Sequence, residues 1–321
     1  MTDRFPLAQL PTPLERLSRL EKALGISPLW IKRDDQTGLA LGGNKTRKLE
    51  FLIADALAQH ADVILTAGAP QSNHCRQTAA AAVRAGLACE LILGGTAPPD
   101  PNGNLLLDGL LGAKVHWTDR GKRLETMDQI AAELRKAGKH PYVIPYGGSN
   151  GVGAQGYVLA MKEAVVQMKE MGIAPGTMVV ASSSGGTQAG LALGAKLYGY
   201  QGRIVGVSID KGERGPERYE DELAALANAT AEVMKIPLRL TADDFHVDYR
   251  FLGEGYGIVG DVERGSLRLM AREEGILLDP VYTGRAFGAV MEGSKGRTGG
   301  VLFWHTGGAA ALFAYGKEVL G

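Results

Sequence analysis

Cysteine is almost missing. The chain has two in 321 residues, Cys75 and Cys89. Two thiols do not make a disulfide framework, and the expected setting is a reducing cytoplasm. Charge of one sign is missing too, since Lys+Arg and Asp+Glu both count 35. That balance excludes the basic excess of a typical nucleic-acid binder. Long hydrophobic runs are absent: Gly, Ser or a charge interrupts each within a dozen residues or so, so no membrane span is expected. "MTDRFPLAQLPTPLERL" has neither the basic start nor the apolar core of a signal peptide. There is no repeat of fixed period, and no metal site is expected.

Glycine is abundant instead. The 45 glycines are about twice the usual share of ~7%. They gather where apolar runs end, in "TAGAPQSN", "LILGG", "PYGGSN", "SSSGGT" and "FWHTGG". There they let backbone approach backbone or a ligand closely. The runs themselves, "LWIKR", "DVILTA", "CELIL", "KVHW", "YVIP", "MVVAS", "RIVGVSI" and "VLFWH", read as strands. Helical patterns lie between them, at about 46–59, 73–85, 121–137, 153–171, 187–199, 216–230, 261–274 and 307–319. Such alternation predicts an α/β protein with mostly parallel sheets flanked by helices. Strands covered on both faces need no period-2 polarity, and these show none. Sites in such sheets lie at the carboxyl ends of strands, where the glycines are. "YGGSNGVGAQG" marks a domain change near residue 150.

Four segments carry candidate chemistry. In "LALGGNKTRKLEFL" a helix begins near Thr46, with Asn44 as its cap. Lys45 then stands at the positive end of a helix dipole. Both that dipole and burial disfavour the ammonium, which makes Lys45 a candidate amine nucleophile. "SSSGGTQAGLALG" follows a strand and opens a helix of small residues. Ser184, Gly185, Gly186 and Thr187 offer N–H groups and hydroxyls to a phosphate, or else form a plain capped turn. "AGAPQSNHCRQTAAAA" puts Ser72, Asn73 and His74 at another strand-to-helix junction. They could hold a carboxylate or a ring oxygen, or simply cap the helix and pack; Cys75 reads as a small first-turn residue. "FWHTGGAAALF" and "DPVYTGRAF" place Thr306, Tyr282 and Thr283 at site-facing ends, with Asp279 as a cap or ion-pair partner and Arg285 as a surface or C-terminal charge.

A lysine for an aldehyde, a cradle for its phosphate and an asparagine for its ring point to pyridoxal phosphate. In order, "GGNKTRKLEFL", "QSNHCRQTAA", "YVIPYGGSN", "SSSGGTQAG", "GILLDPVYTGRA" and "HTGGAAALFAY" resemble the D-cysteine desulfhydrase / 1-aminocyclopropane-1-carboxylate deaminase family, of the tryptophan synthase β-like fold type II. The resemblance spans nearly the whole chain. It implies that Lys45 holds the cofactor as a Schiff base and Asn73 bonds its phenolic oxygen. It also implies that Ser184 to Thr187 cradle the phosphate and Thr306 faces the pyridine nitrogen. Ser72, with Asn73, His74 and Thr283, would bind a small amino-acid substrate, and Tyr256 and Tyr282 match the family's two active-site tyrosines. Residues 1–45 with 151–321 would form a larger cofactor domain and 46–150 a smaller one, with the site in the cleft and a homodimer as the assembly.

The deaminase branch reads Tyr-Glu where this chain has Tyr282-Thr283. A hydroxyl in place of a carboxylate favours β-elimination, with D-cysteine giving pyruvate, hydrogen sulfide and ammonia. L-cysteate sulfo-lyase and the cyclopropane deaminase remain alternatives. Val259, where desulfhydrases carry proline, and Cys75 beside the carboxylate loop are the departures. Two readings of other classes stay open. "GVGAQG" fits a dinucleotide fingerprint, hence a nicotinamide oxidoreductase, but no acid for a ribose follows the next strand. "GGSNG", with Asp279 and His305 later, fits a serine hydrolase using Ser149.

Overall fold

Apolar β-branched runs too short for helices become strands here, and the small-residue segments after them become helices. The computed structural model describes residues 3–26, 28–212, 218–293 and 299–321. Met1 and Thr2, and residues 216 and 217 of the expected helix 216–230, lie outside the described residues. The strands are β1 (Leu14–Arg16), β2 (Leu29–Arg33), β3 (Val63–Gly68), β4 (Ala88–Gly94), β5 (Lys114–Thr118), β6 (Pro141–Val143), β7 (Thr177–Ser182), β8 (Arg203–Ser208), β9 (His246–Asp248) and β10 (Val301–His305). The helices are α1 (Ser18–Leu24), α2 (Lys45–Ala58), α3 (Asn73–Ala85), α4 (Gly103–Leu110), α5 (Arg123–Lys136), α6 (Gly151–Glu170), α7 (Gly186–Tyr198), α8 (Tyr219–Met234), α9 (Asp261–Glu274), α10 (Thr283–Gly293) and α11 (Gly316–Leu320).

Two sheets result. One, in the order β1-β2-β10-β7-β8-β9, draws on both ends of the chain; the other, β5-β4-β3-β6, comes from the middle. Every pairing is parallel except β1 with β2. Helices cover both faces of each sheet, so β3, β7 and β10 are buried along their whole length. In the larger sheet, one core packs Phe287 and Val290 of α10 on Phe303 and Val179. The opposite core packs Tyr157 and Met161 of α6 on Trp304 and Val180.

Much of the glycine excess serves helix contact as well as turns. A Cβ on Gly156 of α6 would lie 2.2 Å from the Arg47 carbonyl oxygen of α2, and one on Gly190 of α7 would lie 2.6 Å from that of Ala154. The glycines of "GVGAQG" therefore seat α6 against α2 and against the 146–148 turn, where a dinucleotide loop would need an exposed approach.

Asp34 joins the two ends of the chain. It is fully buried and accepts from Arg47 Nε (3.0 Å) and Nη2 (2.8 Å), Tyr157 Oη (2.6 Å), Trp304 Nε1 (2.8 Å) and Thr12 Oγ1 (2.9 Å). Burial opposes its charge, but Arg47 and these donors win and hold its carboxyl at about 2. Five elements escape the periodic reading: β1, α1, α4, β9 and α10. The expected helix 307–319 is instead a 3-10 turn over Ala309–Ala314 followed by α11. Gly307 (φ +86°) and Gly308 (φ +113°) are left-handed, so no α-helix starts at that point.

Candidate functional site

Loops after β3, β7 and β10 and the start of α2 open onto one cleft of about 590 Å³ of empty space. Its wall brings together Lys45, Ser72, Asn73, His74, Ser184, Gly185, Thr187, Tyr282 and Thr306, from segments up to 261 residues apart. The remaining three candidates sit just behind it. Gly186 donates its N–H to Ser149 Oγ at 3.1 Å. Tyr256 shares a 2.6 Å hydrogen bond with the Tyr282 hydroxyl. Thr283 turns inward and donates to Asp279 Oδ1 at 2.7 Å, so its hydroxyl is engaged at the start of α10.

Lys45 is the first residue of α2. Burial lowers its amine from 10.5 to about 8, and Asp210 offsets part of the drop. Asn44 does not cap this helix with its side chain. Its Nδ2 donates to Thr187 Oγ1 at 3.0 Å, and its N–H donates to the Thr306 carbonyl at 2.9 Å. The cap gives way because Asn44 is itself helical (φ −60°, ψ −25°), which turns its side chain away from the N–H groups of the next turn.

A second lysine went unnoticed in the sequence. Lys48, one turn on, is fully buried. Its Nζ donates to the Gly147 carbonyl (3.2 Å) and Ser149 Oγ (3.0 Å). Burial, then the nearby Lys45, pushes its amine well below the usual range. Ser149 Oγ donates in turn to Ser184 Oγ at 2.8 Å. A Cβ on Gly186 would lie 2.8 Å from Lys48 Nζ, so only glycine leaves the loop open there. Gly147 (φ +66°) likewise meets Ser184, since a Cβ would lie 2.2 Å from its Oγ. The result is a pocket floor of N–H groups, hydroxyls and amines at the N-terminus of α7, which suits a phosphate dianion. Two adjacent buried amines are costly without an anion between or beside them.

Ser72 caps α3, its Oγ accepting from Cys75 N at 3.2 Å, and its proton remains to donate. The first-turn N–H groups of Asn73 and His74 are those a helix leaves without an intrahelical partner. His74 Nε2 lies 2.9 Å from Thr66 Oγ1, whose own proton goes to the Ile144 carbonyl. Nε2 must therefore carry the imidazole proton. Burial, with Lys45 and Lys48 nearby, keeps the ring neutral. Cys75 is fully buried, and a Cβ on Gly68 would lie 2.6 Å from its Sγ, so the thiol packs behind the loop.

Arg285 is not the surface charge its exposed-looking context implied. It is fully buried, donates to Glu263 Oε1 (2.6 Å), and holds the carbonyls of Gly255 (2.5 Å) and Ile258 (3.0 Å). It thereby fixes the loop that carries Tyr256. Glu263 lies 22 residues away, which no local pattern signals. Asp279 takes the cap role, accepting from the backbones of Val281, Tyr282 and Thr283 at 2.7–3.0 Å. The hydrolase reading dissolves in the same geometry. Ser149 bonds Lys48 and Ser184, Asp279 bonds backbone, and His305 Nε2 meets the Leu277 carbonyl at 3.1 Å. No hydrogen bond joins any two of the three.

Burial raises both tyrosines well above 10, and their mutual contact leaves one hydroxyl proton between them. At neutral pH they hold protons while Lys45 sits near its titration point. A cleft with an amine close to neutrality, a phosphate floor, the Tyr282 phenol on its wall and the Tyr256 phenol bonded behind it can bind a phosphorylated aldehyde and shuttle protons over it.

Comparison with known proteins places the chain in a family. The family described as "Pyridoxal-phosphate dependent enzyme" matches residues 6–307. D-cysteine desulfhydrase of Salmonella typhi is 43% identical over 332 aligned residues, covering 98% of each chain; that of Salmonella newport (strain SL254) is 42% identical with the same coverage. The crystal structure of an ACC deaminase homologue superposes with a TM-score of 0.88 at 36% identity, covering 99% of this chain and 95% of that one. O-ureido-L-serine synthase, at 17% identity and a TM-score of 0.67 over 94% of this chain and 90% of that one, shares the fold.

Proposed function

The chain belongs to the pyridoxal-phosphate dependent enzymes, and from that premise we propose that it is a D-cysteine desulfhydrase, releasing hydrogen sulfide, pyruvate and ammonia from D-cysteine and water. The observation that carries this reading is the near-neutral Lys45 amine in the same cleft as the Ser184–Thr187 cradle. The cofactor supplies an electron sink for negative charge at the substrate α-carbon. Lys45 would hold it covalently. Ser184, Gly185, Gly186 and Thr187 would take its phosphate, with the Lys48 amine behind them. Asn73 would bond the ring oxygen and Thr306 the pyridine nitrogen.

The chain's own groups then divide the work. Ser72 Oγ and the first N–H groups of α3 bind the substrate carboxylate. Lys45 Nζ would take the α-proton, because a group at about 8 is part-neutral at working pH. Tyr282, buried and protonated, donates toward the departing sulfur, and Tyr256 refills that proton across their 2.6 Å contact. Thr283 supports elimination over ring opening, since its neutral hydroxyl faces Asp279 and adds no charge near the ring. The sheet from residues 14–33 and 177–305 and the sheet from residues 63–143 support a larger cofactor domain of 1–45 plus 151–321 and a smaller one of 46–150. A cytoplasmic homodimer is the expected setting, and two buried free thiols are consistent with a reducing compartment.

The test is a panel of D-cysteine, L-cysteine, L-cysteate, β-chloro-D-alanine and 1-aminocyclopropane-1-carboxylate, scored for pyruvate or 2-oxobutyrate. D-cysteine should turn over fastest. Lys45→Ala should lose both turnover and the yellow colour that borohydride bleaches. Faster release from L-cysteate or the cyclopropane substrate reassigns the leaving group, and full activity in Lys45→Ala rejects the reading.

A further inference from the structure

Asn73 can present either an amide nitrogen or an amide oxygen to a ring oxygen, and only the nitrogen donates. Its orientation is decided one shell back. Asn104, fully buried at the second residue of α4, donates from Nδ2 to two acceptors: the Gln71 backbone carbonyl at 3.0 Å and Asn73 Oδ1 at 2.9 Å. The Gln71 carbonyl can only accept. It therefore fixes which end of the Asn104 amide points inward, and flipping Asn104 would set an oxygen against two oxygens. With that end a donor, the Asn73 atom facing it must be Oδ1. Asn73 Nδ2 is left on the side of Gly308, where a Cβ would lie 2.9 Å from it, beside the Thr306–Gly307 wall of the cleft. Gln71 closes the arrangement from the other side: its Oε1 accepts from Asn104 N–H at 2.8 Å and its Nε2 donates to the Asn102 carbonyl at 3.1 Å.

We propose that Asn104 is a positioning residue that sets the polarity of Asn73, so that a donor and not an acceptor meets the phenolic oxygen of the cofactor. The proposal rests on pyridoxal phosphate binding in this cleft. A donor at that oxygen stabilises its anionic form and so lowers the pH at which the cofactor bound at Lys45 gives up its shared proton. Losing the donor raises that midpoint.

The test is a double-variant cycle on the holoenzyme: wild type, N104L, N73A and N73A/N104L. The readouts are the pH midpoint of the visible absorption and the pyridoxal phosphate dissociation constant. N104L should raise the midpoint and weaken cofactor binding about three- to tenfold, the loss expected from one oriented hydrogen bond. In the N73A background the same change should move the midpoint not at all and the affinity less than about twofold, because Asn104 then has nothing to orient. An unmoved midpoint in N104L, or an equal effect in both backgrounds, overturns the proposal. If N104L does not fold by circular dichroism, N104A replaces it under the same criteria. A wild-type protein that binds no cofactor at Lys45 rejects the functional reading instead.

Discussion

Lys45→Met should make the cofactor-free protein more stable while removing its chemistry. The wild-type amine is desolvated, and its pKa falls from 10.5 in the open chain to about 8 in the fold. Below pH 8 the unfolded chain and the fold both carry the charge, but the fold carries it at a cost. At 1.36 kcal/mol per pH unit the drop corresponds to at most about 3 kcal/mol. Between pH 8 and 10.5 the unfolded chain binds more proton than the fold, so wild-type stability rises with pH across that window. Methionine keeps the stem and removes the charge. Urea unfolding of both apoproteins at pH 7 and at pH 10.5 measures the difference. The variant should gain up to about 3 kcal/mol at pH 7, and most of that gain should be gone at the higher pH. A gain equal at both pH values would mean that packing and not charge is responsible. No gain at pH 7 would mean that the amine is not desolvated, and the account of its reactivity would fall with it.

Arg47→Met removes the cation bonded to Asp34 and leaves a buried carboxylate bonded to neutral donors, with Lys32 the cation still near it. Thermal unfolding should show a loss of about 3–5 kcal/mol, and an unchanged midpoint would refute the hub role. Asp108 is fully buried with neither carboxyl oxygen bonded among the described residues, and burial, offset in part by Arg76, raises it to about 7. Its acidic form is the one the fold favours, so wild-type stability falls as pH rises from about 4 to 7. Asp108→Asn should therefore gain about 2 kcal/mol more at pH 8 than at pH 5 in chemical unfolding. Equal gains at the two pH values would show that Asp108 is already solvated.

The residues that touch the cleft were mostly visible from local pattern, because each ends a strand or begins a helix. Ser72 and Asn73 follow β3, Ser184 to Thr187 follow β7, and Thr306 follows β10. What local pattern missed depends on neighbours far along the chain. Lys48 looks like an ordinary helix lysine until Gly147 and Ser149, about 100 residues later, fold over it. Arg285 looks exposed until Glu263 and the 255–258 loop close around it. Asn104 sits in a helix too short for periodicity to register, and its link to Asn73 spans 31 residues.

By itself the chain's order of short apolar runs, small-residue helices and glycine punctuation determined an α/β protein with parallel sheets and put its reactive groups at strand ends. Periodicity and turn chemistry are local, so they survive in one dimension. Only the tertiary structure decided which groups are charged, which amide end faces the cleft and which cations lie buried. Those properties come from desolvation and from partners that distant segments bring within 3 Å, and neither exists before the sheets have packed.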